Sequence, residues 1–356
     1  MQRFASTFAL ALLICGSLRA QGNGDELRAP LPIRDQFLLS NGFFFFEPQT
    51  ARVLGEDESV VIISAADSNT FAKSAWINHH EFGETTRMSA ASEVAASRAH
   101  IGAPIYLVDG ETQRAELSMR HGFGRNFELG LTVPISRTYG GWSDAFIEGV
   151  HRALGIGNAN RNAFPRNSEL VALQSGTTQY IRDQPGSFAL GDIAIAGKYE
   201  LSLFEDRHIS MSVSGAVELP TGNASTLNGS GSLDGGLQVL ASRDFGRTTV
   251  HATLGILREG SNRQLGTRAQ SLITDTVGVS RLLTEKSAAI AQLTVSESPF
   301  RNIGIAEFNR RTYQLSIGMQ HRIGRSMTAY AALIENVLTY ENSADAGLEC
   351  GIARRF

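Results

Sequence analysis

The stretch NFELGLTVPI, Asn126 to Ile135, alternates without a break. Phe127, Leu129, Leu131, Val133 and Ile135 occupy the odd positions, and Asn126, Glu128, Gly130, Thr132 and Pro134 the even ones. A β-strand sends successive side chains to opposite faces, so this segment makes one oily and one polar wall. The period recurs. From Gly191 to Leu203, Ile193, Ile195, Tyr199 and Leu201 oppose Asp192, Lys198, Glu200 and Ser202. From His208 to Leu219, Ile209, Met211, Val213 and Val217 oppose serines and Glu218, and from Arg311 to Ile323, Tyr313, Leu315, Ile317 and Met319 oppose Thr312, Gln314, Ser316 and Gln320. These runs of roughly 10 to 14 residues suit tilted strands crossing a bilayer, which need about 9–11 residues in hydrocarbon, whereas soluble strands average about 5–6. Length therefore favours a transmembrane barrel over a soluble sandwich.

Composition agrees. The 356 residues include 36 Gly but only 9 Pro and 2 Cys, 42% are hydrophobic, and the net charge is −3. Beyond the amino-terminal stretch no apolar run approaches ~18 residues, which excludes helical membrane spans. A barrel wall hides its hydrophobicity in alternation. The near-neutral balance argues against nucleic acid as a partner.

At the start, Arg3 gives a short positive region, Phe4 to Leu18 an apolar one, and Ser17-Leu18-Arg19-Ala20 a small-residue cleavage site before Gln21, the pattern of a secretory signal peptide. The expected organisation is a signal over residues 1–20, a periplasmic or lumenal segment over 21–56, and a barrel over 57–356. Removal of the signal would leave one cysteine, Cys350, so no intramolecular disulfide and no cysteine-rich metal site is expected. The last segment, ADAGLECGIARRF, places Ala346, Leu348, Cys350, Ile352 and Phe356 on alternate positions. It resembles the carboxy-terminal strand signal read by the barrel-assembly machinery of Gram-negative cells, with Phe356 as its terminal aromatic and Arg354 where a second aromatic is common. A closing strand there must pair with the first membrane strand, because lipid tolerates no open sheet edge.

Links between strands test this reading. Outer-membrane barrels alternate short periplasmic turns with longer extracellular loops. From Ala115 onward the short links HGFGRN, FEDR, DFGR, TEK and GRS alternate with longer stretches, the longest being Tyr139 to Gly186. Eleven strands follow from Thr112, and Ser59 to Ser68 is the best single addition. The fold class is therefore all-β, an antiparallel up-and-down transmembrane barrel, with 12 strands favoured. A 14-stranded alternative would add Gln36 to Phe46 and one strand between Phe71 and Ile105.

The longest loop contains GGWSDAFIEGVHRALGIGNANRNAFPR, Gly140 to Arg166. Trp142, Phe146, Ile147, Val150 and Leu154 share one face at helical spacing, with Ser143 or Asp144 to cap the start and Gly155 and Gly157 to stop it, so a short helix is expected in this extracellular loop. Asp144, Glu148 and His151 fall on another side. Such a set could ligate metal or exchange protons. Polar faces are nevertheless the rule on amphipathic helices, and the favoured reading is a wet face, or pairing with Arg152, Arg161 and Arg166 that pins the loop. Here the chain resembles the domain-of-unknown-function 3187 family of Gram-negative outer-membrane β-barrel proteins. The resemblance is carried by Gly140, Gly141, Asp144, Ile147, Glu148, His151, Arg161, Pro165 and Arg166. It extends to PLPIRDQF (Pro30 to Phe37), DGETQRAELSMRHGFGRNFELGLTVP (Asp109 to Pro134), ELPTG (Glu218 to Gly222) and the terminal segment. Trp142 and Ser143 stand where a Phe-Leu pair is usual, and Val150 where a larger residue is. The resemblance implies the barrel architecture and a location in the cell outer membrane, and no particular substrate.

The polar register points Arg114, Glu116, Arg120, Glu128, Asp192, Lys198, Glu200 and Glu218 inward, with Asp234, Glu349 and Arg355. Charges of both signs suit pairing across a lumen or a narrow wet path better than a strongly ion-selective pore. The segment Ala29 to Leu54, with Phe37, Leu38, Leu39 and the Phe43 cluster, is a candidate plug. Two function classes follow: a passive channel or transporter for small or amphipathic molecules, or an envelope barrel that anchors its long loop. An enzyme is not expected. No G-x-S-x-G elbow is present, His251 faces the lumen by its register, and His79-His80 point to opposite sides of any strand. No catalytic, cofactor or metal site is assigned. The expected partners are outer-membrane lipid, the barrel-assembly machinery and a small-molecule ligand of unknown identity.

Overall fold

The computed structural model describes residues 26–74, 104–155, 161–176, 178–201 and 209–356. The signal region, most of Phe71 to Ala103 and His79-His80 lie outside the described residues. Twelve antiparallel strands close on themselves. They are β1 (Ser59–Lys73), β2 (Ile105–Phe123), β3 (Phe127–Tyr139), β7 (Ile193–Leu201), β8 (Ile209–Leu219), β9 (Asp234–Phe245), β10 (Thr248–Glu259), β11 (Gln270–Leu282), β12 (Ser287–Ser296), β13 (Thr312–Ile323), β14 (Met327–Asn336) and β15 (Ala346–Arg355), paired in that order. Three short strands stand outside the ring: β4 (Leu170–Ser175), β5 (Thr178–Arg182) and β6 (Ala189–Leu190). The strand β3 leaves β2 at the pair Glu111↔Tyr139, and β4 then takes its place from Asp109↔Leu170 onward, carrying β5 with it. That change of partner is why β2 runs back to Ile105 and not merely to Thr112.

Closure is made by β15 against β1, in register from Val60↔Arg355 to Asn69↔Ala346. Phe356 completes the seam: its amide donates to the Ser59 carbonyl at 2.9 Å, and the Ser59 amide donates to its carbonyl at 3.3 Å. With β1 paired to β2 on its other edge, no free edge is left for a further wall strand. Gln36 to Phe46, the first of the two strands in the 14-stranded alternative, accordingly lies inside the ring, with a single 3-10 turn at Leu38–Ser40.

Alternation decides which face meets what. Leu254 and Val277 are 60% and 59% exposed on the outer wall, while the inward Ser212 and Ser280 are fully buried. The outward belt includes Phe127, Leu129, Leu131, Leu237, Ile256, Ile317 and Leu348. Exposed apolar side chains repeated around a whole ring are what lipid requires and what water would penalise. Among the described tight links, Gly246 and Gly324 sit at positive φ, 61° and 70°, the conformation that glycine adopts without strain.

The loop helix α1 spans Asp144–Leu154, and the structure corrects which side of it is wet. Asp144 and Glu148 are 2% exposed, whereas Trp142 and Phe146 are 61% and 66% exposed. A 3.6-residue period marks a face without saying whether protein, water or lipid lies against it.

Opposite placement of neighbours in β15 gives a direct test. Arginine on the lipid face costs about 2–4 kcal/mol at the bilayer midplane and less towards an interface, so Leu348→Arg, in the row of Asp67, should lower the fraction of barrel with heat-modifiable gel mobility. Glu349→Gln, on the lumen face, should leave that fraction unchanged. Deleting Phe356 removes both seam hydrogen bonds and should impair assembly; equal folded fractions for all three would contradict the register and the seam.

Candidate functional site: the filled lumen

An open lumen would present the inward polar residues to water. Here Ala29 to Leu54 runs through the barrel interior, and its backbone raises a physical problem. Every backbone N–H and C=O taken out of water needs a partner, and the wall strands have already spent theirs on one another. Inward side chains supply the partners.

Gln292 grips Leu31 from both sides, accepting from its amide at 2.9 Å and donating to its carbonyl at 3.0 Å. Gln314 repeats the device one step along, accepting from the Gln36 amide at 3.1 Å and donating to the Arg34 carbonyl at 3.0 Å. Gln320 donates to the Ala29 carbonyl at 3.1 Å, and Ser280 to the Arg28 carbonyl at 2.7 Å. Ser68 donates to the Gln36 carbonyl, Thr70 accepts from the Leu38 amide, and Ser242 accepts from the Ala51 amide. An amide side chain carries a donor and an acceptor on one planar group, so a glutamine on the wall imitates a strand partner.

The inward charges divide into two groups. Nearer the middle, Arg114 pairs with Glu116, reaches the Asn41 carbonyl at 3.2 Å, and lies close enough to Arg34 and Glu218 to feel both charges. Glu349 accepts from Tyr330 at 2.8 Å and from Gln36 at 3.3 Å. Towards the short-turn end, Glu128 is met by Lys198 at 2.8 Å and Arg120 at 3.6 Å, and accepts from the Leu54 amide at 2.9 Å. Glu200 takes the Val53 amide at 2.9 Å, and Lys198 donates to the Thr50 carbonyl at 3.2 Å. Asp192 does something else, since it accepts from Gly222 and Ser230 and so orders the loop after β8. Asp234 is similarly tied to the Gly260 amide, and Arg355 reaches Glu58 at 3.0 Å. A cavity of about 120 Å³ is left between segment and wall, lined by Glu47, Thr50, Ser118, Arg120, Glu128 and Lys198 among others.

At the long-loop end the filling is apolar. Phe37 meets Phe300 and Phe308, and Phe43 meets Phe300, edge to face with centroids 5.4–6.1 Å apart, Phe300 and Phe308 are tilted at 5.8 Å, and Tyr106 meets Phe308 at 4.6 Å. Such aromatic contacts add to burial, and they shut this end of the lumen. The filling is thus greasy at one end and charged in the middle and towards the other.

The loop motif is brought together as ion pairs. Asp144 meets Arg161 at 2.5 Å, and Arg161 also reaches Asp345 at 3.3 Å and Asp109 at 3.7 Å. Glu148 pairs with Arg166. The side chain of His151 lies outside what is described. No group of three or more metal-ligating side chains occurs among the described residues. Sequence reasoning missed Gln292, Thr70 and Ser242 as lumen-site residues, along with Ser136, whose hydroxyl accepts from the Asn41 side chain at 2.9 Å, and the plug groups Arg34, Asp35 and Glu47. The available signal was the set of glutamines on polar positions of β12 and β13, side chains with no obvious reason to line a simple hole.

The family model described as "Protein of unknown function (DUF3187)" matches residues 81–356, and the chain belongs to that family. No match is found among curated proteins. Among solved structures, the COG4313 outer membrane channel from Pseudomonas putida F1 is similar over 88% of this chain and 100% of that one, with a TM-score of 0.53 and 11% identity. The KdgM porin (TM-score 0.40, 7% identity, 83% and 99% covered) and the P. putida toluene transporter TodX (0.38, 9%, 85% and 90%) are more remote. At these identities the likeness is one of fold, that of an outer-membrane β-barrel.

The segment carries its own titratable groups. Burial, then Glu116 (with which it shares a hydrogen bond) and Glu349 push the Glu47 carboxyl well above the ordinary carboxylate range, against the pull of Arg114. Burial raises Asp35 too. A carboxyl that binds its proton more tightly when docked leaves docking strongest at pH below its released-state value, and docking weakens as pH rises through that value towards the raised one. A spin label at Gln49→Cys in a Cys350→Ser background should therefore be more mobile at pH 8 than at pH 5, and Glu47→Gln should reduce the difference. Mobility independent of pH would contradict this.

Proposed function

We propose that this chain is a passive channel of the cell outer membrane, closed at rest by its own residues Ala29 to Leu54, and that it passes small or amphipathic molecules when that segment moves. The observation that carries the reading is the way the interior is filled. A barrel serving only as an anchor could close its lumen with side chains packed to the density of a protein core. Here an extended chain is held by side-chain hydrogen bonds, each worth about 0.5–1.5 kcal/mol net and each replaceable by water. The barrel fold shared with the COG4313 outer membrane channel is consistent with it. In this reading the short-turn end, with Ser59 and Phe356, faces the periplasm and the long loops face outward. A solute entering from outside meets the aromatic cluster before the charged region, an order that suits molecules with one apolar and one polar part. No step of this reading needs catalysis or a cofactor.

A second reading, an envelope anchor displaying the long loop, is favoured by the ion pairs of Arg161 and Arg166 that hold that loop and by the closed aromatic end. Planar-bilayer recording separates the two. Full-length protein should show rare or small openings, and deletion of Ala29 to Leu54 should give steady conductance with solute-dependent liposome swelling. Conductance unchanged by the deletion would remove the plug from the account, and a silent deleted barrel that is still heat-modifiable would favour the anchor.

A further inference from the structure

The helix α1 is joined to the outer surface of the barrel. Asp67, Asn69 and Glu111 belong to the outward register, since Asp67 shares a row with Leu348 and Gln113, and Asn69 with Glu111. Glu111 accepts from the backbone amides of Trp142 at 3.0 Å and Ser143 at 2.7 Å. Asn69 donates to Asp144 at 3.0 Å, and the indole N–H of Trp142 donates to Asp67 at 3.1 Å. The start of the helix is therefore fixed against the outer wall.

Its polarity is the reverse of a water-facing helix. The carboxylates Asp144 and Glu148 point into the protein and are paired, with Ile147 buried beside them, while Phe146 of the helix and Trp142 just before it project outward beside Ala145, Arg152 and Ala153. Height settles what they meet. The outward series on β1 runs Val61, Ile63, Ala65 and then Asp67; on β3 it runs Leu131, Val133, Ile135 and then Arg137. Two residues are about 6.6 Å of strand, so on β1 and β3 the helix starts one step above the last apolar outward residue, level with the upper apolar residue Leu348 of β15. The apolar surface continues beneath it through Phe188 and Leu190, 44% and 43% exposed, and the Arg137 guanidinium is stacked between Tyr139 at 4.6 Å and Phe188 at 4.7 Å. That level is the headgroup layer, where Trp and amphipathic helices come to rest.

We propose that α1 is an interfacial foot: Trp142 and Phe146 insert among the lipids of the outer leaflet, and Arg152 at the edge of the same face reaches the headgroup phosphates. The long loop is then held at a fixed tilt against the membrane. This rests on the outer-membrane reading above, and the test separates the two. Trp76 is the only other tryptophan in the chain, so Trp76→Phe leaves Trp142 as the sole reporter at its native position. Full-length protein folded into phosphatidylcholine vesicles should show blue-shifted Trp142 emission. Chains brominated near the headgroup should quench it at least 2-fold, bromines near the chain ends should quench it less, and iodide in the water should have little effect. A reference with Trp76→Phe, Trp142→Phe and Val277→Trp places the reporter in the belt, and heat-modifiable mobility confirms folding of each protein. If the reference is quenched by brominated chains while Trp142 is quenched only by iodide, the foot is overturned and the barrel reading stands. If neither is quenched by lipid, both are overturned.

Discussion

Hydrogen bonding of backbone in a place without water is the constraint on which this structure depends. It acts twice. In the wall, each strand must find a partner on both edges, which forces closure and gives Phe356 its position beside Ser59. In the lumen, the wall has no backbone groups left to offer, so a chain entering it must be matched by side chains. Glutamines at positions 292, 314 and 320, with hydroxyls at 68, 70, 242 and 280, supply that match. Arg114, Glu128, Lys198 and Glu200 add further bonds to its backbone, so the segment is fixed by wall side chains and not by a sheet of its own.

Electrostatics follows from this filling. Charges of both signs on an inward face would be solvated in an open pore. With the segment in place several of them pair, Arg114 with Glu116 and both Lys198 and Arg120 with Glu128, while Arg52 and Arg28 of the entering chain meet Asp244; Glu200 and Glu349 instead accept from the Val53 amide and the Gln36 side chain. Removing one member of a buried pair costs more than the pair is worth. The pairs therefore resist substitution more than they add stability. Glu47 differs in character, a carboxyl set against the Glu116 carboxyl, and with the buried Asp35 it is the basis for expecting docking to depend on pH.

Much of the barrel was legible in the sequence because alternation has a direct physical reading. Phe127, Leu129 and Leu131 outward and Glu128 inward needed only the period of a strand, and the pairing of Leu348 and Glu349 with β1 followed from the absence of edges in lipid. The 12-stranded ring followed from alternating link lengths, and the structure agrees. The run Gln36 to Phe46 was ambiguous because apolar density suits a wall strand and a buried plug equally. Phe37 and Phe43 meet Phe300 and Phe308, more than 250 residues away in sequence, contacts that no local pattern encodes. The exchange of β3 for β4 on β2 was invisible for the same reason. In α1 the period was right but the burial was not readable from it: Asp144 and Glu148 are buried by Arg161 and Arg166 from the far side of the loop, Ile147 is buried with them, and Phe146 is exposed.

The central claim, that residues Ala29 to Leu54 close the lumen and release it reversibly, is tested most directly by tethering the segment to the wall. Leu31→Cys and Gln292→Cys place thiols where the Gln292 side chain holds the Leu31 backbone, bridged by a short cross-linker with a central disulfide in a background with Cys350→Ser. Recorded in one planar bilayer, the oxidised barrel should stay silent, and reduction should bring openings that reoxidation removes. Equal conductance in the oxidised and reduced states, with the disulfide verified by mass, would contradict the account.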